Sequence, residues 1–472
     1  MRSIAVILPY AVSIRDFVHT GVFSGLLRIP DVRMDLYTQN PDLPEFGSLR
    51  SERVALREIG PYAERPLERL LRKYYPILFH DIFVYIQQNV DRSPARKLMA
   101  KAVALGRRML GTRLALRLYG WLLLGLSSRP SQPIFAGSPN LVIGTRSLVN
   151  SLDFPFMVEA ARRRLPLLTI ASSWDNFTTK GFFPFAVAKT VVWNRKMAEE
   201  LVEIFEVPRE RIVVAGYPRA ALIGDAGGVE DARAYLERLG LGQYRRFVLH
   251  TASYAELTRL RPGQPPQEYR LVREVAEALL PTLPEDTCII VRLHPFSEAE
   301  DEALFEGLPR LHVFVPGRKD RYVERVMSKD DEIHLACQLK FSECIVSMAS
   351  TITIDALAVG RPVINLCFDP SGPVDPAGSI PRFYRYNHFR DLLACVRPPL
   401  ATSVDDVVEF VAQCMAGEQT PQADLAAFER YYVPRDSLDY ACVVRETVEE
   451  LLAAGTAALE AARTDPDRVA RR

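Results

Sequence analysis

The pattern of apolar positions at the start of the chain changes period twice within forty residues. Residues 3–8 form a short apolar run, residues 16–27 repeat apolar side chains at helical spacing, and residues 32–37 return to an apolar run. A strand, a helix and a second strand in this order are typical of a parallel sheet. Such a sheet binds its ligand in a crevice at the carboxyl ends of its strands.

The same alternation returns later and divides the chain. One series of apolar runs and helical patterns occupies residues 140–215, and a second series occupies residues 247–367. A stretch rich in Gly, Ala and Pro lies between them and is typical of a linker. We therefore predict an α/β protein with two Rossmann-like doubly wound domains facing a cleft, over residues 1–215 and 229–403. Residues 404–472 are expected to form C-terminal helices and a disordered tail.

Residues 41–135 interrupt this rhythm with basic helical patterns and are predicted to be a helical insertion in the first domain. Residues 1–150 carry 21 Lys and Arg against 11 Asp and Glu, although the net charge of the whole chain is only +1. Within them, residues 92–129 hold nine basic side chains and no acidic one. A basic, apolar-rich surface favours peripheral contact with an anionic membrane, and the alternative is a solvated helix face.

Composition excludes several classes of protein. The longest apolar stretch, residues 118–126, has nine residues, whereas a membrane-spanning helix needs about 20. The first apolar run is too short for a signal peptide, so we expect a cytoplasmic location, peripheral at the inner face of the membrane. The seven cysteines show no C-x-x-C spacing, so we expect free thiols, no metal and no cofactor. No nucleic-acid partner is expected.

One polar motif in the second series indicates a phosphate site. Ser347, Ser350 and Thr351 follow an apolar run and open a helical pattern, where unpaired backbone N–H groups bind phosphate. Asp355 lies one helical turn later and is a candidate to accept hydrogen bonds from both ribose hydroxyls. The alternative is a simple N-cap followed by a solvated carboxylate.

A second motif ends the predicted strand at residues 288–293. Arg292 is a candidate to anchor a phosphate, and His294 is a candidate to donate a hydrogen bond to it. A structural histidine at the strand end is the alternative. Because both motifs belong to one predicted sheet, we expect their side chains to converge on one nucleotide.

A polar loop after the predicted strand at residues 167–170 is a candidate for the acceptor side. Its hydroxyl, carboxylate, amide and ammonium groups are costly to bury without partners, so the loop is expected to line the cleft. The candidate residues are Ser173, Trp174, Asp175, Asn176 and Lys180. The alternative for Trp174 is a place in the core.

A fourth group follows the first strand and contains Arg15, Asp16 and His19. This position suits a base that must reach an acceptor hydroxyl. His19 has the appropriate side chain, Asp16 is suited to orient it or to act itself, and Asp175 is a third candidate base. The alternative is a helix-terminal charge beside an exposed helix histidine.

The sequence resembles GT-B glycosyltransferases of bacterial surface-polysaccharide synthesis in three N-terminal motifs, Ser-Trp-Asp-Asn-x-x-x-Lys-Gly at 173–181, Val-Trp-Asn at 192–194 and Val-Ala-Gly-Tyr-Pro-Arg at 214–219. Relatives of that group include CDP-glycerol glycerophosphotransferases, bacterial sialyltransferases and UDP-N-acetylglucosamine 2-epimerases. The pairs His294-Pro295 and Ser350-Thr351 are similar to the nucleotide-holding pairs of the first two, and Asp355 is similar to the ribose-holding acid of the epimerases. The second His and the Asp-Tyr-Ser-Ser sequence expected of glycerophosphotransferases are missing, so transfer of polyol phosphate is not favoured.

The resemblance implies a GT-B fold and a nucleotide-sugar substrate. We expect an inverting, metal-independent glycosyltransferase that moves a sugar to a surface-glycan or lipid-linked acceptor. A nucleotide-sugar 2-epimerase and a non-catalytic glycan-binding or scaffold protein are the alternatives.

Overall fold

The computed structural model describes residues 1–91, 93–129, 133–146, 149, 151–259, 261, 263–319, 325–417, 423–434 and 439–464. The chain divides into two compact units. The first contains Met1–Pro218 and Arg435–Arg472, and the second contains Arg219–Pro434. The tail at 465–472, where disorder is expected, lies outside the described residues.

The described part of the first unit is built on a seven-stranded parallel sheet in the order β3-β2-β1-β4-β5-β6-β7. The strands are β1 (Arg2–Leu8), β2 (Val32–Thr38), β3 (Val54–Glu58), β4 (Leu141–Gly144), β5 (Leu167–Ile170), β6 (Lys189–Val192) and β7 (Ile212–Val214). The chain first adds strands on one side of β1 and then crosses to its other side. The strand order therefore reverses between β1 and β4, which is where such sheets form a ligand crevice.

Helices connect these strands and supply the predicted insertion. They are α1 (Ala11–Ile14), α2 (Val22–Leu27), α3 (Pro66–Tyr74), α4 (Val84–Val90), α5 (Pro94–Leu110), α6 (Thr112–Leu126), α7 (Phe154–Arg162), α8 (Asn176–Thr179) and α9 (Arg195–Phe205). The predicted insertion also contains β3, whose half-buried side chains pair with β2 at the edge of the sheet. Within the described ranges, no helix is long and apolar enough to cross a membrane.

The second unit repeats the same design. Its described residues form a six-stranded parallel sheet in the order β10-β9-β8-β13-β14-β15 and a two-stranded ribbon, β11-β12. The strands are β8 (Arg246–Thr251), β9 (Thr287–Arg292), β10 (Leu311–Phe314), β11 (Arg318–Lys319), β12 (Arg325–Val326), β13 (Ile345–Ser347), β14 (Val363–Leu366) and β15 (Leu400–Ala401). Here the order reverses between β8 and β13. Two doubly wound α/β units are present, which confirms the predicted fold class.

The helices of the second unit are α10 (Ala220–Gly224), α11 (Ala232–Arg238), α12 (Gln267–Leu279), α13 (Ala299–Ala303), α14 (Lys329–Phe341), α15 (Ile352–Ala358), α16 (Asn387–Val396), α17 (Val404–Met415) and α18 (Leu425–Tyr431). The chain then returns to the first unit with α19 (Tyr440–Thr464), which packs on α2. The segment predicted as one set of C-terminal helices, 404–472, is thus shared between the two units. An apolar helix stripe predicts burial but does not specify which core receives it.

Helix α6 approaches the first unit closely through Gly120. A Cβ atom at this position would lie 2.1 Å from the Pro184 carbonyl oxygen. Leu116 and Leu123, on the same side of the helix, are buried. This stripe therefore anchors the inserted helix to the unit, and only glycine fits at its centre.

We predict that Gly120→Ala destabilises the protein by about 1–3 kcal/mol, because the added methyl group meets backbone that cannot move aside cheaply. Gly125→Ala is the matched control, since no heavy atom lies within 4 Å of a Cβ there and alanine favours a helix by about 0.5–1 kcal/mol over glycine. Urea denaturation of the full chain measures both. Equal stability of the two variants would contradict this packing.

Candidate functional site

The carboxyl ends of three neighbouring strands bring the two predicted phosphate motifs to one edge of the second sheet. The register places Thr251 of β8 opposite both Arg292 of β9 and Ser347 of β13. His294 lies two residues after Arg292, and Ser350 lies three residues after Ser347. Neighbouring strands lie about 4.8 Å apart, so the backbones of β9 and β13 are separated by about 10 Å across β8. Both motifs thus border the point where the strand order reverses.

His294 is half-buried and lies against the rings of Tyr254 and Phe296, with ring centres 5.4 and 5.0 Å away. The Phe296 N–H donates to its Nδ1 at 3.2 Å. Burial, reinforced by the positive charge of Arg292, lowers the pKa of His294 to about 4. The imidazole is therefore neutral near pH 7, and because Nδ1 accepts, Nε2 carries the proton and is a hydrogen-bond donor.

The hydroxyl groups after β13 differ in their availability. Ser347 is buried, and its Oγ lies 3.1 Å from Ser350 Oγ. Ser350 and Thr351 are half-buried, and Ser350 Oγ accepts from the Ile352 N–H at 3.3 Å. A hydroxyl that accepts one bond still has a proton to donate. That proton is donated to Ser347 Oγ, because the Ser347 hydroxyl itself donates to the Met348 carbonyl oxygen at 3.1 Å, so an anion would compete with Ser347 for it.

Arg292 does not occupy the predicted position of a phosphate anchor. Its side chain is buried, its Nη1 donates to Gln338 Oε1 of α14 at 2.9 Å, and its guanidinium lies 5.1 Å from the centre of the Phe314 ring. Burial lowers its pKa to about 10, which still leaves it charged at neutral pH. Because alternate residues of a strand face opposite sides of a sheet, this cation faces α14. It affects the edge through its positive charge, which lowers the pKa of His294.

Asp355 is also placed differently from the prediction. Its side chain is fully buried, and its Oδ2 lies 2.7 Å from Arg219 Nη1, which is itself buried. A carboxylate that is enclosed and paired with a cation is not positioned to accept from ribose hydroxyls. Arg219 ends the motif at 214–219, and nothing in that motif indicates a distant partner for it.

Glu268 is a buried acid that no motif in the sequence indicated. It is fully buried at the start of α12, and its Oε1 accepts from the Ser253 N–H at 2.8 Å, just after β8. Burial raises its pKa to about 8, so the group is largely protonated at neutral pH. It holds the loop that follows the central strand of the site. Its position within an amphipathic helix pattern gave no signal, because acids in such patterns are usually on the solvated face.

The polar loop after β5 is packed more deeply than predicted. Trp174 and Asn176 are buried, and Asn176 Nδ2 donates to Ser172 Oγ at 3.1 Å. Lys180 is exposed and lies 3.7 Å from Asp175. Ser173 is half-buried. Aromatic packing around α8 explains why the indole and the amide lie inside, so the parts of this loop open to a ligand are its hydroxyl and its ion pair.

Arg15, Asp16 and His19 share one π-helical turn after β1, Arg15–His19, and all three are half-buried. Arg15 Nη2 lies 2.6 Å from Asp16 Oδ1. Nearby, the Arg146 guanidinium, just after β4, lies 4.1 Å from the centre of the Tyr10 ring. The turn thus borders the reversal of strand order in the first sheet, and π-helical turns occur frequently at functional sites.

A cavity of about 1010 Å³ lies beside the carboxyl ends of β2 and β3. Its walls include Tyr37, Tyr62, Arg69, Arg72 and Lys73. Glu64 pairs with Arg69 at 2.9 Å and with Arg72 at 2.7 Å. Lys73 forms no ion pair with any described residue. No motif in the sequence indicates this cavity, because loops and α3 assemble it from separate segments.

Within the described ranges, no three His, Cys, Asp or Glu side chains form a group that could hold a metal. The seven cysteines are free.

Comparison with known proteins identifies the architecture. No family model matches the sequence, and no curated protein matches it. Solved structures match almost end to end. The S. aureus MnaA–UDP co-structure is 9% identical, with a TM-score of 0.51 over 95% of each chain. A UDP-GlcNAc 2-epimerase from Methanocaldococcus jannaschii is 11% identical, with a TM-score of 0.50 over 95% of this chain and 99% of that one.

A UDP-N-acetylglucosamine 2-epimerase from Rickettsia bellii gives the same picture, with 11% identity and a TM-score of 0.50 over 96% of each chain. The chain has the two-unit fold of the GT-B group. At this level of identity the likeness establishes the fold alone. The predicted GT-B architecture and its resemblance in fold to the epimerases are confirmed.

We predict that Asp355→Ala lowers the free energy of unfolding by about 3–5 kcal/mol without any ligand, because it leaves the buried Arg219 guanidinium without its counter-charge. The double variant Arg219→Leu, Asp355→Leu is expected to recover much of this loss, since it removes both charges. Chemical denaturation measures both. If Asp355→Ala were as stable as the wild type, the pair would not support the second unit and the carboxylate would again be a ribose candidate.

Proposed function

We propose that the chain is a nucleotide-sugar-dependent glycosyltransferase that binds its donor on the second unit and its acceptor on the first. The observation that carries the proposal is that His294, Ser350 and Thr351 follow the two strands that flank β8, at the strand-order reversal of the second sheet. Ligands of doubly wound folds bind at such reversals. The UDP present in the S. aureus MnaA co-structure supports a uridine nucleotide as the first ligand to test.

The donor phosphates are proposed to accept hydrogen bonds from the His294 Nε2–H and from the hydroxyls of Ser350 and Thr351. When the bond between the anomeric carbon and the phosphate oxygen breaks, negative charge develops on that oxygen. Donors fixed in place before the reaction stabilise such charge with little reorganisation. The buried Arg292 adds a positive potential behind His294. The proposed transfer is inverting and independent of a metal.

The acceptor hydroxyl is proposed to attack the anomeric carbon while a base takes its proton. Asp16 and His19 are favoured over Asp175 because their turn follows β1, which borders the reversal of strand order in the first sheet. The ion pair with Arg15 fixes the orientation of Asp16, and because a carboxylate paired with a guanidinium is a weaker base, Asp16 suits an orienting role. Asp175 follows β5, one strand farther from that reversal.

The cavity of the first unit is the proposed acceptor site. Its aromatic walls suit the flat faces of sugar rings, and Lys73 suits an anionic group, whereas Arg69 is already paired with Glu64. Its volume matches sites that bind small molecules of about 300–1,000 Å³. A surface glycan or lipid-linked acceptor that carries phosphate or carboxylate fits this chemistry.

A nucleotide-sugar 2-epimerase is the second candidate, because the matching structures from M. jannaschii and R. bellii are named as UDP-GlcNAc 2-epimerases. An epimerase needs no acceptor. Conversion of UDP-GlcNAc to a 2-epimer by the chain alone would favour this candidate over transfer. A non-catalytic glycan-binding protein would show neither conversion nor saturable nucleotide binding.

We predict that His294→Ala weakens UDP binding by about 10- to 150-fold, because a hydrogen bond to a charged group contributes about 1.5–3 kcal/mol. His312→Ala is the matched control, since His312 lies in the middle of the neighbouring strand β10. Its affinity is expected to stay near the wild-type value. Isothermal titration with UDP measures all three proteins, after a thermal-shift comparison of UDP, CMP, CDP, GDP and TDP. An unchanged Kd in His294→Ala, or no nucleotide bound by the wild type, would remove the proposed donor site.

A further inference from the structure

Helices α5 and α6 expose an unusual amount of apolar surface. Eighteen large apolar side chains are exposed among the described residues, and ten of them belong to these two helices. We name this face the α5–α6 surface. Its apolar members are Leu98, Met99, Val103, Leu105, Met109, Leu110, Leu114, Leu118, Trp121 and Leu122. Such a patch on a chain of ordinary composition marks an interaction site.

The exposed stripe of α6 is separate from the stripe that anchors the helix. At 3.6 residues per turn, Leu114, Leu118 and Trp121 lie on one side, roughly opposite Gly120 and Leu123. The side of α6 that carries Gly120 and Leu123 packs into the first unit, with Gly120 against Pro184. Trp121 is 72% exposed. Packing within the unit therefore gives no reason for the first side to be apolar.

Helix α5 shows the same division. Ala100, Ala104 and Arg107 are buried, and Arg107 binds Asp81 at 2.8 Å. Leu105 and Met109 lie on the opposite side and are 55% and 80% exposed. Both helices thus present one anchored side and one exposed apolar side.

Cations border the exposed stripes. Arg113 and Arg117 precede Leu114 and Leu118 on α6, and Lys101 lies beside the stripe of α5. These three cations are exposed and form no ion pair with any described residue. No acidic residue occurs anywhere in 93–129. The combination of apolar stripes with unpaired cations at their edges is typical of helices that lie in the interface of an anionic bilayer.

We propose that the α5–α6 surface docks on an anionic membrane, with its apolar side chains at the acyl boundary and its cations against headgroup phosphates. A second copy of the chain fits less well, because a two-fold contact through this face would bring cations of the same sign together. The proposal does not depend on the transferase chemistry. It concerns only where the first unit binds.

Trp121 provides an internal probe. The chain has three tryptophans, and Trp174 and Trp193 are buried. Transfer of Trp121 to the bilayer interface is expected to shift the emission of the full chain to shorter wavelength and to make it quenchable by brominated lipid. Vesicles of phosphatidylcholine with phosphatidylglycerol are expected to bind the chain at least about tenfold more tightly than phosphatidylcholine alone.

The double variant Arg113→Glu, Arg117→Glu is expected to lose this preference by about tenfold or more. The control Arg195→Glu, Arg211→Glu changes the net charge equally at two exposed positions outside the surface and is expected to bind like the wild type. Vesicle sedimentation at low and high salt measures the binding, and sedimentation equilibrium measures self-association. Absence of vesicle binding, an unshifted Trp121 emission on vesicles, or equal loss in both double variants would overturn the proposal. Self-association abolished by Trp121→Ser, with no vesicle binding, would assign the surface to a second copy instead.

Discussion

The parallel pairing of β9, β8 and β13 is the constraint on which the candidate site depends. All residues of β9 and β13 are buried, so a one-residue slip would exchange the side chains that pack on the two covered faces of the sheet. The pairing therefore fixes how far His294 and Ser350 extend past the same row. The strand order reverses next to β8. No direct connection between strands therefore covers the edge between His294 and Ser350.

Buried groups that do not reach this edge of the second sheet determine the electrostatic environment there. Arg292 lies behind the sheet and helps to keep His294 neutral. Glu268 holds the Ser253 backbone as a protonated acid. The Arg219–Asp355 pair fixes the first residue of the second unit to α15. The groups that are costly to bury thus stabilise the surrounding structure. The side chains that remain at the edge are neutral hydrogen-bond donors.

The strand and helix alternation allowed the fold to be predicted, because periodicity reports which faces are buried. The edge position of His294 and Ser350 followed from the rule that parallel strands end at one side. The burial of Asn176, Arg292 and Asp355, and the choice between core and cleft for Trp174, could not be predicted, since burial depends on helices that pack over these residues. A polar residue in a motif has the same sequence appearance whether it faces a ligand or a buried partner.

Binding of a nucleotide at the edge of the second sheet is the central claim. Amide hydrogen exchange with and without saturating UDP tests it most directly. Slower exchange in 252–254, 294–297 and 348–352, which follow β8, β9 and β13, is the predicted result. Saturation with no change in these segments, or protection confined to the first unit, would contradict it.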